Sequence, residues 1–136
     1  LEHAKSLTPA RIQAAQMQFF LMSRGMETFF GDWDVLITPT CLSAAPLLGN
    51  INGSKPNLTA YSWADTIFSE FSPFTPIFNI TGQPAMSVPL HQSANGLPVG
   101  VQCIGRFGDE ATLLQLAAQF EQACPWKNRK PSMGLF

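Results

Sequence analysis

Apolar residues recur at steps of three and four near the start of the chain, at Ile12, Ala15, Phe19, Met22, Met26 and Phe29. This spacing places them on one stripe of a helix, and core packing is the expected use of such a stripe. Thr8 stands where a cap is needed, Pro9 suits the first helical position, and Gly31 marks the end. The apolar run at 34–38 (DVLIT) reads as a short buried strand ended by Pro39. From 40 to 57 the pattern gives way to Pro, Gly, Asn and Ser, a long loop of the functional or mobile kind. Helical spacing returns over 61–71 through Trp63, Ile67, Phe68 and Phe71, and an irregular link at 72–76 carries two prolines.

Residues 85–90 and 99–104 read as two further strands, with Asn95-Gly96 between them. That dipeptide readily adopts positive φ, so the pair is expected to form an antiparallel hairpin with a loose connection. Gly100 and Gly105 suggest close backbone approach or a bulge. Asp109 then caps a last helix whose buried face is Leu113, Ala117, Phe120 and Cys124, and Pro125 ends it. The tail at 126–136 is expected on the surface. Helix, strand, helix, hairpin, helix predicts an α/β arrangement, with α+β as the alternative: a partial β-sheet flanked by helices. Apolar strands in so thin a sheet imply cover on both faces, or neighbours outside these residues.

Composition sharpens this picture. Hydrophobic residues make up 46% of the chain and charged residues 12%, an apolar balance for a 136-residue unit with so much surface to cover. The chain is therefore expected as a single domain over 1–136, or a fragment of a larger one, that buries surface against a partner. A net charge of −1 with no basic run argues against nucleic acid. No apolar run reaches the roughly 20 residues of a membrane span, and the first ten residues do not read as a signal peptide. Cys41, Cys103 and Cys124 are odd in number and widely spaced, which gives no disulfide framework and no metal pattern. The expectation is reduced thiols in the cytoplasm, and the N-x-T sequons at Asn57 and Asn79 then read as chance matches.

Three blocks carry a family resemblance. The first is Asp34-Val35-Leu36-Ile37-Thr38-Pro39-Thr40, followed by Ala45-Pro46. The second is Phe78-Asn79-Ile80-Thr81-Gly82-Gln83-Pro84-Ala85, continued by Ser87-Val88-Pro89. The third is Gly96-Leu97-Pro98-Val99-Gly100-Val101-Gln102, then Gly105-Arg106 and Asp109. Together they cover about 32–121, and in this order and spacing they resemble the C-terminal part of the amidase-signature hydrolases. The resemblance implies hydrolysis of amide bonds or transfer of their acyl groups. It also implies a mixed, mostly parallel sheet between helices, and a Ser–Ser–Lys triad whose bridging serine lies on a cis peptide bond. The Gly/Ser-rich region and the lysine of that triad have no counterpart here. Thr38, Pro39, Gly82, Pro84, Gly100, Gln102, Arg106 and Asp109 fall on structural motif positions. Thr40, Phe74, Thr75 and Asn79 lie on loops beside the blocks, where the resemblance suggests substrate-pocket lining.

No catalytic residue is assigned from the sequence. Neutral lysine chemistry needs a desolvated amine. Lys5, Lys127 and Lys130 sit near the chain ends, and Lys55, after Ser54, lies in a polar stretch that reads as a solvated turn. A Cys–His grouping of Cys41 or Cys103 with His91 is weighed below core packing for Cys103 and a solvated loop for His91. Two distant histidines give no metal site, and no cofactor is expected. Arg106 and Asp109 are read as a turn-fixing and capping pair in preference to a functional ion pair, and Gln83 and Gln102 as partners for backbone groups. Two functions remain: the C-terminal portion of an amide hydrolase supplying sheet core and pocket loops, or a free-standing binding or assembly module derived from one. The expected partner is a second copy of the chain or an N-terminal amidase lobe.

Overall fold

The computed structural model describes residues 2–130. A one-turn helix α1 (Glu2–Lys5) comes first, ahead of the helix that the sequence predicted. Helix α2 (Pro9–Asp32) follows, and Thr8 caps it as expected, its side chain accepting a hydrogen bond from the Arg11 backbone N–H at 3.3 Å. Strand β1 (Val35–Pro39) leads into the irregular stretch before α3 (Ala60–Asp65). Thr59 and Ser62 close a reciprocal capping box at the start of α3. The helix then widens into a π-helical turn, Thr66–Phe71, where the Ser72 N–H reaches back to the Ile67 carbonyl at 2.7 Å. Thr66 Oγ1 donates to the Ser62 carbonyl at the junction, a back-bond that bends helices.

The link expected at 72–76 is shorter than predicted, because Pro76 opens helix α4 (Pro76–Thr81). Proline pre-sets the φ of a first helical turn, and Gly82 stops the helix in the left-handed region at φ +82°. Strands β2 (Ala85–Gln92) and β3 (Pro98–Gly105) form the expected antiparallel hairpin, and α5 (Glu110–Ala123) is capped by Asp109. The expected surface tail is described only to Lys130; its remainder lies outside the described residues.

The sheet order is β1-β3-β2, and both ladders are antiparallel, so these three strands alone contain none of the parallel pairing that the resemblance implied. Three prolines lie in strands at tolerated positions: Pro39 and Pro89 on the two edge strands, Pro98 at the first residue of the central one. Alternate residues of β3 point to opposite faces. Ile104 packs with Phe30 of α2 and Phe78 of α4, joined by Met26, Leu36 and Ile77. A side chain at Gly105 would meet Leu113 of α5. The sheet is therefore covered by α2 and α4 on one face and by α5 on the other, the α/β arrangement expected.

The core itself departs from expectation. Of α2, Phe30 is the buried residue at 4% exposure, whereas Ile12, Phe19, Met22 and Phe29 of the predicted stripe are exposed. Met26 and Phe30, in the last two turns of α2, join the core, and the earlier stripe is left uncovered by the described residues. On α5, Leu113 is buried but Cys124 is exposed, standing outside the helix as its C-cap.

Candidate functional site

The three motif blocks meet on the α4 face of the sheet. Thr38 of β1 lies opposite Gln102 of β3, which lies opposite Ser87 of β2. Gln102 is buried, and its Nε2 donates to Thr38 Oγ1 at 3.0 Å and to the Phe74 carbonyl at 3.3 Å. One amide thus ties both outer segments to the central strand. Gln83 is also buried and accepts from Thr81 Oγ1, so its partner is a side chain where the sequence suggested a backbone group. At the next level the Thr40 N–H donates to the Gly100 carbonyl at 3.1 Å, and the Thr40 and Ser87 hydroxyls lie 2.6 Å apart across Gly100. A Cβ at Gly100 would come within 2.7 Å of both hydroxyl oxygens, so the close approach that the sequence suggested is met here by side chains.

This hydroxyl pair lines a depression of about 360 Å³. Its walls include Cys41 and Ala45 from the loop, Phe71 at the end of the π-helical turn, and Pro98 and Val99 from β3. Among the described residues neither a charged residue nor a histidine lines it, so none of them stands beside the two hydroxyls as a base to take a proton. The site can offer a donor and an acceptor to a neutral polar group, and apolar walls to its neighbour. It has no means of activating a nucleophile.

The four residues suggested as pocket lining are placed apart. Thr40 lines the depression just described. Thr75 and Asn79 line a second one of about 330 Å³ with Ile67, Phe68, Pro76 and Ile80. The part of Phe74 with a recorded polar contact is its carbonyl, held by Gln102. Ser87 and Phe71 are among the lining residues that the sequence did not mark as pocket lining. The available signal for Ser87 was its alternation with Val88, which puts it on the same face as Gln102 and Thr38.

The remaining candidates show ordinary chemistry. Lys55 Nζ donates to the Asn50 carbonyl at 2.9 Å, and the Ser54 backbone N–H to Asn52 Oδ1, a self-contained exposed turn. Cys103 is fully buried on β3, opposite Met86, and burial pushes its thiol pKa up, away from a reactive thiolate. His91 lies opposite Val99, further along the hairpin, and Cys41 lines a different depression. Arg106 pairs with Asp34, its Nη2 at 2.9 Å from Oδ1, while its Nε donates to the Phe30 carbonyl at 3.0 Å. The turn-fixing and capping reading fits: the Asp109 N–H donates to the Arg106 carbonyl at 3.0 Å and Asp109 caps α5, while the Arg106 side chain makes its ion pair with Asp34. Thr112 holds the Asp109 carboxyl pKa below its usual range, its hydroxyl donating at 2.7 Å and its backbone N–H at 3.2 Å, with a lesser contribution from the Arg106 charge. Among the described residues no group of three or more His, Cys, Asp or Glu is placed to hold a metal ion, and no helix is long and apolar enough to cross a membrane.

Comparison with known proteins places this geometry. The model of the amidase family matches residues 2–114. The protein named AmiC in Mycobacterium tuberculosis is 42% identical over 116 residues, which are 85% of this chain and 24% of AmiC. The 6-aminohexanoate-cyclic-dimer hydrolase of Paenarthrobacter ureafaciens is 40% identical over 105 residues, 74% of this chain and 21% of that protein. A solved structure of 6-aminohexanoate cyclic dimer hydrolase superimposes with a TM-score of 0.79 at 30% identity, covering 96% of this chain and 28% of the other. The chain thus spans about a quarter of the length of the relatives it matches.

Proposed function

Because the chain belongs to the amidase family yet spans about a quarter of its relatives' length, we propose that it is the C-terminal portion of an amide-bond hydrolase. It contributes sheet core and a neutral wall of the substrate pocket to a Ser–Ser–Lys centre carried by the rest of the enzyme. One observation carries this reading. The family blocks meet on one face of the sheet, where Gln102 ties Thr38 to the central strand and, one level on, Thr40, Ser87 and Gly100 line a depression that holds no base among the described residues. Residues arranged so are binding and framing elements, and the chemistry has to come from elsewhere. The three cysteines, all free of disulfides, support a cytoplasmic setting for that enzyme. The exposed apolar side chains of α2 support a partner surface, filled by the remainder of the hydrolase or by a second copy of this chain.

The test has two arms. The purified chain, assayed against aryl amides and p-nitrophenyl esters, is expected to show no turnover above background. A chimera in which it replaces the matching stretch of the cyclic-dimer hydrolase is expected to hydrolyse amides. Turnover by the isolated chain that survives Ser54→Ala with Lys55→Ala, but disappears with Cys41→Ala or His91→Ala, would reveal a cysteine centre and overturn the proposal. So would a chimera that melts cooperatively and is inactive.

A further inference from the structure

The far end of the hairpin carries a hollow of different character. Val88 faces Val101 and His91 faces Val99, so three steps along β2 span two along β3. The extra residue is a bulge at Pro89 and Leu90, where Pro89 brings no N–H to the ladder. Arg129 meets the Pro89 carbonyl instead, its Nη1 donating at 3.0 Å. That bond straps the segment after α5 across the bulge and encloses about 360 Å³ between the two.

The walls are apolar at Pro89, Leu97, Pro98 and the half-buried Trp126. The polar rim includes Arg129, Lys130 and His91, and among the described residues no carboxylate lines the hollow. In a chain of net charge −1 this is a local reversal of sign. Among the described residues one bond, to Pro89, uses a single one of the guanidinium's five N–H donors. Trp126, Arg129 and Lys130 also lie beyond residues 2–114, the stretch matched by the family model.

We propose that this hollow is an accessory site for a small organic anion on a flat apolar body, an aromatic carboxylate or an aromatic phosphate monoester. The ring packs against Trp126, Leu97 and Pro98, and the anion meets Arg129 and Lys130. Charge-assisted bonds to an anion are about twice as strong as neutral ones, and aromatic faces add a contact that a bare ion lacks. The inference does not rest on amide hydrolysis: the two depressions share Pro89 and Pro98, but Thr40 and Ser87 line only the first, and Trp126, Arg129 and Lys130 only this one.

The experiment titrates the 136-residue chain with benzoate, phenyl phosphate, benzamide and inorganic phosphate at low salt. The readout is the indole N–H resonance of Trp126, identified by its loss in Trp126→Leu. Benzoate or phenyl phosphate is expected to give a saturable shift, and the tighter of the two identifies the anion as carboxylate or phosphate. Benzamide, which keeps the ring without the charge, and inorganic phosphate, which keeps the charge without the ring, should bind about tenfold more weakly or worse. Lys130→Gln leaves the Arg129 strap in place and should weaken the preferred anion about threefold or more with an unchanged melting temperature. The site does not exist as described if no ligand saturates, if benzamide or inorganic phosphate binds as tightly as the aromatic anions, or if Lys130→Gln binds like the wild type.

Discussion

A methyl group at Gly100 would lie 2.7 Å from both Ser87 Oγ and Thr40 Oγ1, and 3.1 Å from Thr40 Cβ. Overpacking of this kind costs about 1–3 kcal/mol. Gly100→Ala is therefore expected to destabilise the chain by that amount in urea unfolding. Ser87→Ala alone should cost about 0.5–1.5 kcal/mol, the net worth of one hydrogen bond. Removing Ser87 Oγ also clears one of the two clashing atoms, so the double variant should cost less than the sum by about 0.5 kcal/mol or more. Strict additivity would mean that the hydroxyl pair does not abut Gly100. Asp109 supplies a pH-dependent contribution. Thr112 and, less strongly, Arg106 hold its folded-state pKa below the ordinary carboxylate value. The stabilisation is thus fully present above the unfolded value of about 4 and is lost as pH falls through the depressed folded value. Asp109→Asn keeps a capping acceptor but removes the charge. Its melting temperature should fall below wild type at pH 7, and the gap should close as the pH drops towards 3.

The elements differ in how plainly the sequence announced them. The Thr8 cap, the Asn95-Gly96 turn and the Asp109 cap were legible because each is a local device, decided by residues within a few positions of one another. Helix α4 was not, since it is six residues long and its opening Pro76 follows a second Pro-containing stretch that reads as link. The π-helical turn after α3 has no periodic signature of its own, and the Thr66 back-bond stands at its start. Of the site, Thr40 and the glycine approach were readable, and Ser87 and Phe71 were not. Their proximity to Thr40 depends on strand register and on the Leu42 N–H meeting the Phe71 carbonyl at 2.9 Å, neither of which composition reveals. That bond also sharpens an expectation for the long loop. Leu42 is anchored, whereas beyond it Leu47 and Leu48 stand exposed and the recorded backbone bonds are short-range turns. Hydrogen exchange should be fast across 43–57, slow at Leu42, and slowest in 101–104 of the central strand. Slow exchange throughout 43–57 would show that the loop has partners beyond these turns.

At the scale of the molecule, α2 is the element most at odds with its surroundings. Phe19 and Phe20 are adjacent, about 100° apart around the helix, and are 45% and 59% exposed. Ile12, Met17 and Leu21 are exposed as well. A helix apolar on several faces is built for burial. The chain by itself is accordingly expected to self-associate, burying about 1,000 Å² or more in total, the size of a specific interface. Sedimentation velocity should show a concentration-dependent shift above the monomer that Phe20→Lys reverses. A clean monomer at high micromolar concentration would remove the argument. The prolines of the sheet bear on what such contacts can be. Val101 of the central strand has Pro39 on one side and, on the other, Val88 immediately before Pro89. Both margins of the sheet are thus interrupted at one level. An incoming strand can continue the ladder beside Val35 to Thr38 or beside Ala85 to Val88, at the end where Gly105 lies, but not past it. Growth of the sheet has a direction: a neighbouring segment can zip on from the Gly105 end only, for about four residues, and the end that holds the Thr40–Ser87 depression is left unbridged for whatever enters it.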